Sequence, residues 1–155
     1  MSQDAALPTH ASLSLAALDA AQARIRPMQP EDLEAVKEID RLSFSLPWPE
    51  NAYRFELFEN PGSRLWVAEL QPSEAQPVIA GVIVVWLILD EAHIATLAVH
   101  PQYRRCGLAR ELLATALLAA IRAGMRLATL EVRAGNLAAQ QLYRHFGFEV
   151  VGSRP

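Results

Sequence analysis

The sequence predicts a mixed α/β fold, a β-sheet flanked by helices, and three observations predict it. Residues 94 to 132 read as strand, helix, strand: the apolar run Ile94 to Val99, an Ala- and Leu-rich stretch from Leu108 to Ala123, then Leu127 to Val132. A unit of that order makes its two strands parallel. The longest apolar run, Val78 to Leu89, is rich in β-branched residues and too short to cross a bilayer as a helix, so it reads as a buried strand. At 155 residues the chain fits one domain with a proper core.

The elements follow in order. Residues 1–23 are rich in Ala, Ser and Gln and read as a flexible tail, a marginal helix or a partner-binding arm. The domain runs over 24–155. Ile25 to Met28 is a short strand, and Pro30 then opens a helix with Leu33, Val36, Ile39 and Leu42 at helical spacing. Ser45 to Glu50, with two prolines, breaks it. Asn51 to Phe58 forms a second helix, stopped by Asn60-Pro61-Gly62. Leu65 to Leu70 and Val78 to Leu89 are strands separated by a polar, proline-containing loop, and Asp90-Glu91 turns into the strand ending at Val99. Leu108, Leu112, Leu113, Ala116, Leu117 and Ala120 form the apolar stripe of the next helix, which Gly124 stops. After the strand to Val132, a helix is capped by Asn136 and ended by Gly147, and Phe148 to Val151 is a last strand-like segment.

Composition excludes several classes. A net charge of −3 leaves no general footprint for nucleic acid. One cysteine rules out an internal disulfide framework and suits a reducing cytoplasm. His10, His93, His100 and His145 are scattered, without partners at metal-ligand spacing, so no metal is expected. The N-terminus lacks the basic and continuous apolar regions of a secretory signal, and no membrane association is expected.

Between the strand ending at Val99 and the helix starting at Leu108 lies His100-Pro101-Gln102-Tyr103-Arg104-Arg105-Cys106-Gly107. A strand, a small-residue turn and a helix start together make an anion site, because the first-turn N–H groups have no intrahelical acceptor and carry the positive end of the helix dipole. Gly107 and Ala109 let a phosphate approach the backbone, and Arg104, Arg105 and Arg110 supply countercharge. The alternative is a structural turn with solvated arginines. No Gly-Lys-Ser/Thr ending or Gly-x-Gly-x-x-Gly fingerprint is present, which excludes Walker and Rossmann loops.

In a strand–helix–strand unit ligands sit beyond the carboxyl ends of the strands. The arginine turn is at one such end and Glu131 at the other. A carboxylate there is either paired with an arginine such as Arg133, or raised in pKa by partial burial and suited to accept a proton. Asn136 and Tyr143 are two helical turns apart and share a face; the phenol either donates a proton to a departing thiolate or packs as a core aromatic. Cys106, at a helix start, reads as a tolerated small residue, since no base is oriented on it.

Arg104-x-x-Gly107-x-Ala109 resembles the Arg/Gln-x-x-Gly-x-Gly/Ala turn of the GCN5-related N-acetyltransferase (GNAT) family, and the order of elements from Arg24 onward is similar to that fold. Leu130-Glu131-Val132-Arg133-Ala134-Gly135-Asn136 through Leu142-Tyr143 and Phe146-Gly147-Phe148 resembles the signature of the family's bacterial ribosomal-protein-alanine branch, as does Phe44 through Pro47-Trp48. The resemblance implies an acyl-CoA N-acyltransferase fold with a central mixed sheet. It implies that Leu97, Ala98 and Val99 pair their backbone with the pantetheine arm of acetyl-CoA, that Arg105, Cys106, Gly107, Leu108, Ala109 and Arg110 cradle its pyrophosphate, and that Asn136 contacts it. It makes Glu131 the general base, Tyr143 the general acid, and the reaction a direct attack by an amine on the thioester.

In that branch the last motif is followed by a basic, tyrosine-rich loop and a closing strand that helps hold the acceptor, whereas the sequence given ends at Gly152-Ser153-Arg154-Pro155. The expectation is a domain short of its last strand, a monomer or a strand-exchanged dimer. The leading reading is an acetyl-CoA-dependent enzyme acting on the N-terminal α-amine of a protein, of the ribosomal-protein-alanine type. The alternatives are a transferase for a small-molecule amine, and a coenzyme A-binding regulatory protein with little turnover.

Overall fold

The computed structural model describes residues 23–71 and 76–152. The reading of the N-terminal segment lies, except for residue 23, outside the described residues. So does most of the polar loop before Val78.

In chain order the elements are β1 (Arg24–Pro27), a single 3-10 turn (Pro30–Asp32), α1 (Leu33–Ser43), α2 (Ala52–Phe58), β2 (Ser63–Leu70), β3 (Val78–Ile88) and β4 (Glu91–Val99). A second 3-10 turn (Pro101–Tyr103), α3 (Leu108–Arg122), β5 (Leu127–Leu130) and α4 (Leu137–His145) complete them. The five strands lie side by side in chain order, the first four antiparallel and β5 parallel to β4. The mixed sheet and its parallel pair agree with the expectation from the sequence. None of the described helices is long and apolar enough to cross a membrane.

Two apolar layers sandwich the sheet. On one face, Leu108, Leu112, Leu113, Ala116 and Ala120 of α3 pack on Ile83, Val85, Ile94 and Val99. On the other, Leu33, Val36 and Ile39 of α1 and Tyr53 of α2 pack on Val67, Val82, Val84 and Ala98. Gly81 allows α3 its approach, because a Cβ there would stand 2.9 Å from Leu112 Cδ1 and 3.3 Å from the Ala98 carbonyl oxygen. Leu42, at helical spacing with the core positions, ends α1 39% exposed, beyond the reach of the sheet.

β4 carries the irregularity that shapes the molecule. Val84 pairs with Thr96 and Val85 with Ile94, so Ala95 is an extra residue on β4. A bulge bends its strand and reverses the alternation of faces beyond it. Ile94, Leu97 and Val99 accordingly all meet the α3 layer, while Ala95 and Ala98 meet the α1–α2 layer. The β5 ladder ends at the same place: it joins Glu91–Ile94 to Leu127–Leu130 and goes no further. From Ala95 onward the two parallel strands part.

Two expected strand boundaries are thereby corrected. The strand predicted through Val132 stops at Leu130, because the bent half of β4 offers it no ladder. Phe148 to Val151 is not a strand; none of the described strands pairs with it, and Val150 and Val151 are exposed.

Candidate active site

The turn after β4 has the geometry of an anion site. Gly107 adopts φ 83°, a left-handed conformation that suits glycine, and serves as the N-cap of α3. Glu111 N–H donates to the Gly107 carbonyl at 3.1 Å, the first bond of the helix. The N–H groups of Leu108, Ala109 and Arg110 precede it, and the cap residue has no side chain to take them. Arg105 also lies in the left-handed region, φ 64°, so the turn places two successive departures from ordinary backbone around Cys106. Arg105 is exposed, while Arg110 and Cys106 are half-buried.

Arg104 has a structural part that the sequence does not announce. Its Nε donates to the Val99 carbonyl at 2.9 Å and its guanidinium to Ser43 Oγ at 3.1 Å. It ties the turn to the ends of β4 and α1, and since both acceptors are neutral its charge stays beside the turn.

The parted half of β4 presents an open edge. His100 N–H donates to the Ala80 carbonyl at 2.7 Å, which makes His100 and Ala80, and by alternation Ala98 and Val82, the hydrogen-bonded pairs with β3. Leu97 and Val99 therefore turn their backbone groups the other way, into the gap left by β5. Of the three residues expected to offer backbone to a ligand, Ala98 is withdrawn, since its polar groups are spent on β3. Val99 keeps its N–H, its carbonyl being taken by Arg104.

Beside the gap, on the α1–α2 face, lies a groove of about 390 Å³. The sheet contributes Trp86, His93 and Ala95, and Glu131 stands at its rim; Trp48, Pro49, Ala52 and Glu56 form the opposite wall. Trp86, His93 and Thr129 are direct cross-strand neighbours and share one face. Glu56 is buried, and its Oε1 accepts from Trp86 Nε1 at 2.8 Å and Asn60 Nδ2 at 2.9 Å. Two carboxylates, one imidazole and two indole faces suit a positively charged amine better than an anion.

A buried carboxylate fixes the wall that bears Trp48. Asp40, near the end of α1, is 2% exposed and accepts from Trp48 N–H at 2.8 Å and from Tyr53 Oη at 2.8 Å. The Trp48 and Tyr53 rings lie 4.8 Å apart. The Pro47-Trp48 segment is thus held from both sides, by α1 through Asp40 and by α2 through Tyr53.

The remaining expected site residues are placed as follows. Glu131 is the first residue past β5 and is exposed, so of the two alternatives for it, partial burial is set aside; the strand stops short of it once β4 bends away. Asn136 caps α4, its Oδ1 accepting from Ala139 N–H at 3.1 Å, which leaves its amide nitrogen as a donor. Tyr143 packs beside the α3-side core, edge-on to Phe148 at 5.7 Å, and burial pushes its phenol up to about 12. It stays protonated at neutral pH.

Trp86, His93, Glu56 and Asp40 are functional surroundings that sequence reading passed over. A tryptophan in an otherwise aliphatic strand was the available signal for Trp86. For the others the signal is a partner distant in sequence, visible only when the sheet is assembled.

Comparison with known proteins agrees with this architecture. Residues 33–148 match the model of the acetyltransferase (GNAT) family. A Bacillus subtilis (strain 168) protein, provisionally named [ribosomal protein bS18]-alanine N-acetyltransferase, is 35% identical over 133 residues, covering 86% of this chain and 85% of the relative. The crystal structure of the ribosomal-protein-S18-alanine N-acetyltransferase from Escherichia coli superposes with a TM-score of 0.69 at 30% identity, over 82% of this chain and 77% of that one. A chain of the NatC complex bound to Gag peptide and CoA superposes with a TM-score of 0.73 at 25% identity, over 82% of this chain and 84% of that one. The parted strands, the turn at the start of α3 and the match over residues 33–148 lead to one conclusion: this chain is an acetyltransferase of the GNAT family.

Proposed function

We propose that the chain transfers the acetyl group of acetyl-CoA to the α-amino group at the N-terminus of a protein, with an alanine-starting ribosomal protein of the bS18 kind as the acceptor, in the cytoplasm. The observation that carries the reading is the gap between β4 and β5: it puts an open backbone edge between a helix N-terminus suited to phosphate and an acidic, aromatic groove suited to an amine.

Within it, the N–H groups of Leu108, Ala109 and Arg110 hold the pyrophosphate, with Arg105 beside them and Gly107 and Cys106 shaping the turn. Leu97 and Val99 extend backbone donors and an acceptor to the pantetheine arm, and the Asn136 amide nitrogen adds a contact. The bound thioester supplies an activated acetyl carbonyl. Glu131 accepts a proton from the amine through water, and Tyr143 holds a proton for the thiolate. Orientation of the two reactants supplies much of the rate, with no acyl-enzyme required. An α-amine, with a pKa near 8, is easier to deprotonate at neutral pH than lysine at about 10.4.

The test is acetyl transfer from acetyl-CoA to short peptides beginning with Ala, Ser or Met, against the same peptides with a blocked terminus. Acetylation of the free terminus, about 10²-fold weaker in Glu131→Gln, is the expected result. Preference for a free small amine over every peptide would shift the reading to that substrate class. Tight acetyl-CoA binding without transfer to any amine would refute it.

A further inference from the structure

We propose that His93 is a second proton acceptor for the acceptor amine, its ring held in the Nδ1–H form by a Thr129–Glu91 relay that leaves Nε2 as the base facing the groove. The proposal rests on the reading of the groove as the amine site.

The relay follows from hydrogen-bond counting. Thr129 Oγ1 donates to Glu91 Oε2 at 2.6 Å. A hydroxyl has one proton to give, so toward His93 Nδ1, 2.9 Å away, the same oxygen can only accept. Nδ1 therefore carries the proton, and in a neutral ring Nε2 carries the lone pair. His93 lines the groove, and its Nδ1 is the ring nitrogen engaged with Thr129. The ring is held flat as well: it stacks on Trp86 at 5.7 Å between centroids and 24° between planes, and the Trp86 indole is itself fixed by Glu56. Each of Thr129, Glu91 and Trp86 is placed by sheet register, His93 pairing with Trp86 on one side and Thr129 on the other. The orientation is built into the ladder rather than into a loop.

The reaction has a use for two acceptors. Acetyl transfer forms a C–N bond and breaks the C–S bond, and an ammonium must surrender two protons in the process. His93 Nε2 takes the first, so that the neutral amine attacks. Glu131 takes the second through water as the amide forms. Tyr143 gives its proton to the departing thiolate and regains one from Glu131, and His93 releases its own to solvent. One proton ends on sulfur and one in water. The charged groups around the imidazole are Glu91 on β4, Glu56 on α2 and Glu131 beyond β5.

The test compares His93→Gln and Thr129→Val with the unchanged chain, reading kcat/KM for an Ala-starting peptide from pH 6 to 9.5 and acetyl-CoA affinity by calorimetry. At pH 6 to 7, His93→Gln should lose about 10²-fold. The deficit should shrink above pH 8, where the α-amine deprotonates unaided. Thr129→Val should lose about tenfold, with acetyl-CoA affinity unchanged in both. A deficit of the same size at every pH, or none, overturns the proposal. A second readout needs no turnover: long-range 1H–15N correlation should find the Nδ1–H form in the unchanged chain and a tautomer mixture in Thr129→Val, and an Nε2–H ring in the unchanged chain overturns the proposal. If peptides are refused and a small amine is acetylated, the same pH series with that amine judges His93 alone. If no amine is acetylated, both readings fall.

Discussion

Replacing Tyr53 by Phe tests whether the Trp48 wall is held by the Asp40 carboxylate. The ring is 1% exposed and would remain, so the change removes one oxygen from a filled site. That oxygen donates to Asp40 Oδ1 at 2.8 Å, and the Thr96 side chain hydrogen-bonds the same phenol. A hydrogen bond to a charged group is worth about 1.5–3 kcal/mol, and a buried hydroxyl left without its partner adds about 1 kcal/mol. The sum is a loss of about 2.5–4 kcal/mol. With a urea m-value of about 2 kcal/mol per molar, the unfolding midpoint should fall by about 1–2 M. Because Asp40 also accepts from Trp48 N–H, the groove wall should loosen with it, raising the acceptor KM several-fold. The α3 turn is tied to Ser43 and β4 through Arg104, not to Tyr53, so acetyl-CoA affinity should hold. Urea unfolding followed by fluorescence gives the first quantity, and steady-state kinetics with calorimetry gives the other two. A midpoint within experimental error of the parent, or an acetyl-CoA affinity that falls in step with the acceptor KM, would refute the reasoning.

Three further perturbations have defined outcomes. Burial opposes the charge on Asp32, but the Arg26 guanidinium and the Gln29 N–H together hold its carboxyl below the usual range. Its contribution is present above the unfolded value near 3.9 and disappears as pH falls through the lower folded one; in Asp32→Asn, stability in urea should therefore be about 2 kcal/mol lower at pH 7 and fall less steeply below pH 4. Tyr143, pushed up to about 12, stabilises the fold below pH 10, and that stabilisation is lost as pH rises from 10 through 12. Tyr143→Phe should abolish this alkaline loss in a denaturation series and lower kcat about 10²-fold at pH 7, whereas full activity would remove the phenol from the chemistry. Gly81→Ala should cost about 1–3 kcal/mol in thermal or urea unfolding, because a Cβ 2.9 Å from Leu112 Cδ1 makes that buried side chain repack between α3 and the sheet; a neutral result would show slack in that packing.

Much of this fold is legible from local sequence. The stripe of Leu108, Leu112, Leu113, Ala116 and Ala120 reports α3 because one helix face meets one sheet face. Asn136 reports the start of α4 because a cap acts within three residues. Gly107 reports the turn because its φ suits glycine. What local pattern does not carry are effects whose partners are far along the chain. Nothing in Ile94 to Val99 marks Ala95 as an extra residue; the bulge exists only against β3. Three arginines near the turn look alike in sequence, yet Arg104 is diverted by Ser43, 61 positions away. Glu131 reads as part of a strand because Leu130 and Val132 flank it, and it leaves the sheet because of a bend in a neighbour some 36 positions earlier.

The extra residue at Ala95 sets a limit on how this sheet can change. Substitutions at 95 alter only what lines the groove, but deleting it would make Val85–Ile94 and Val84–Thr96 consecutive pairs of an unbroken ladder and remove the bend. Thr96 to Val99 would keep their β3 partners and their faces, but with β4 straight β5 could zip along its whole length and close the gap. The capacity to hold two reactants side by side thus resides in chain length at one point, a property that scanning by replacement would miss and scanning by deletion would find at once.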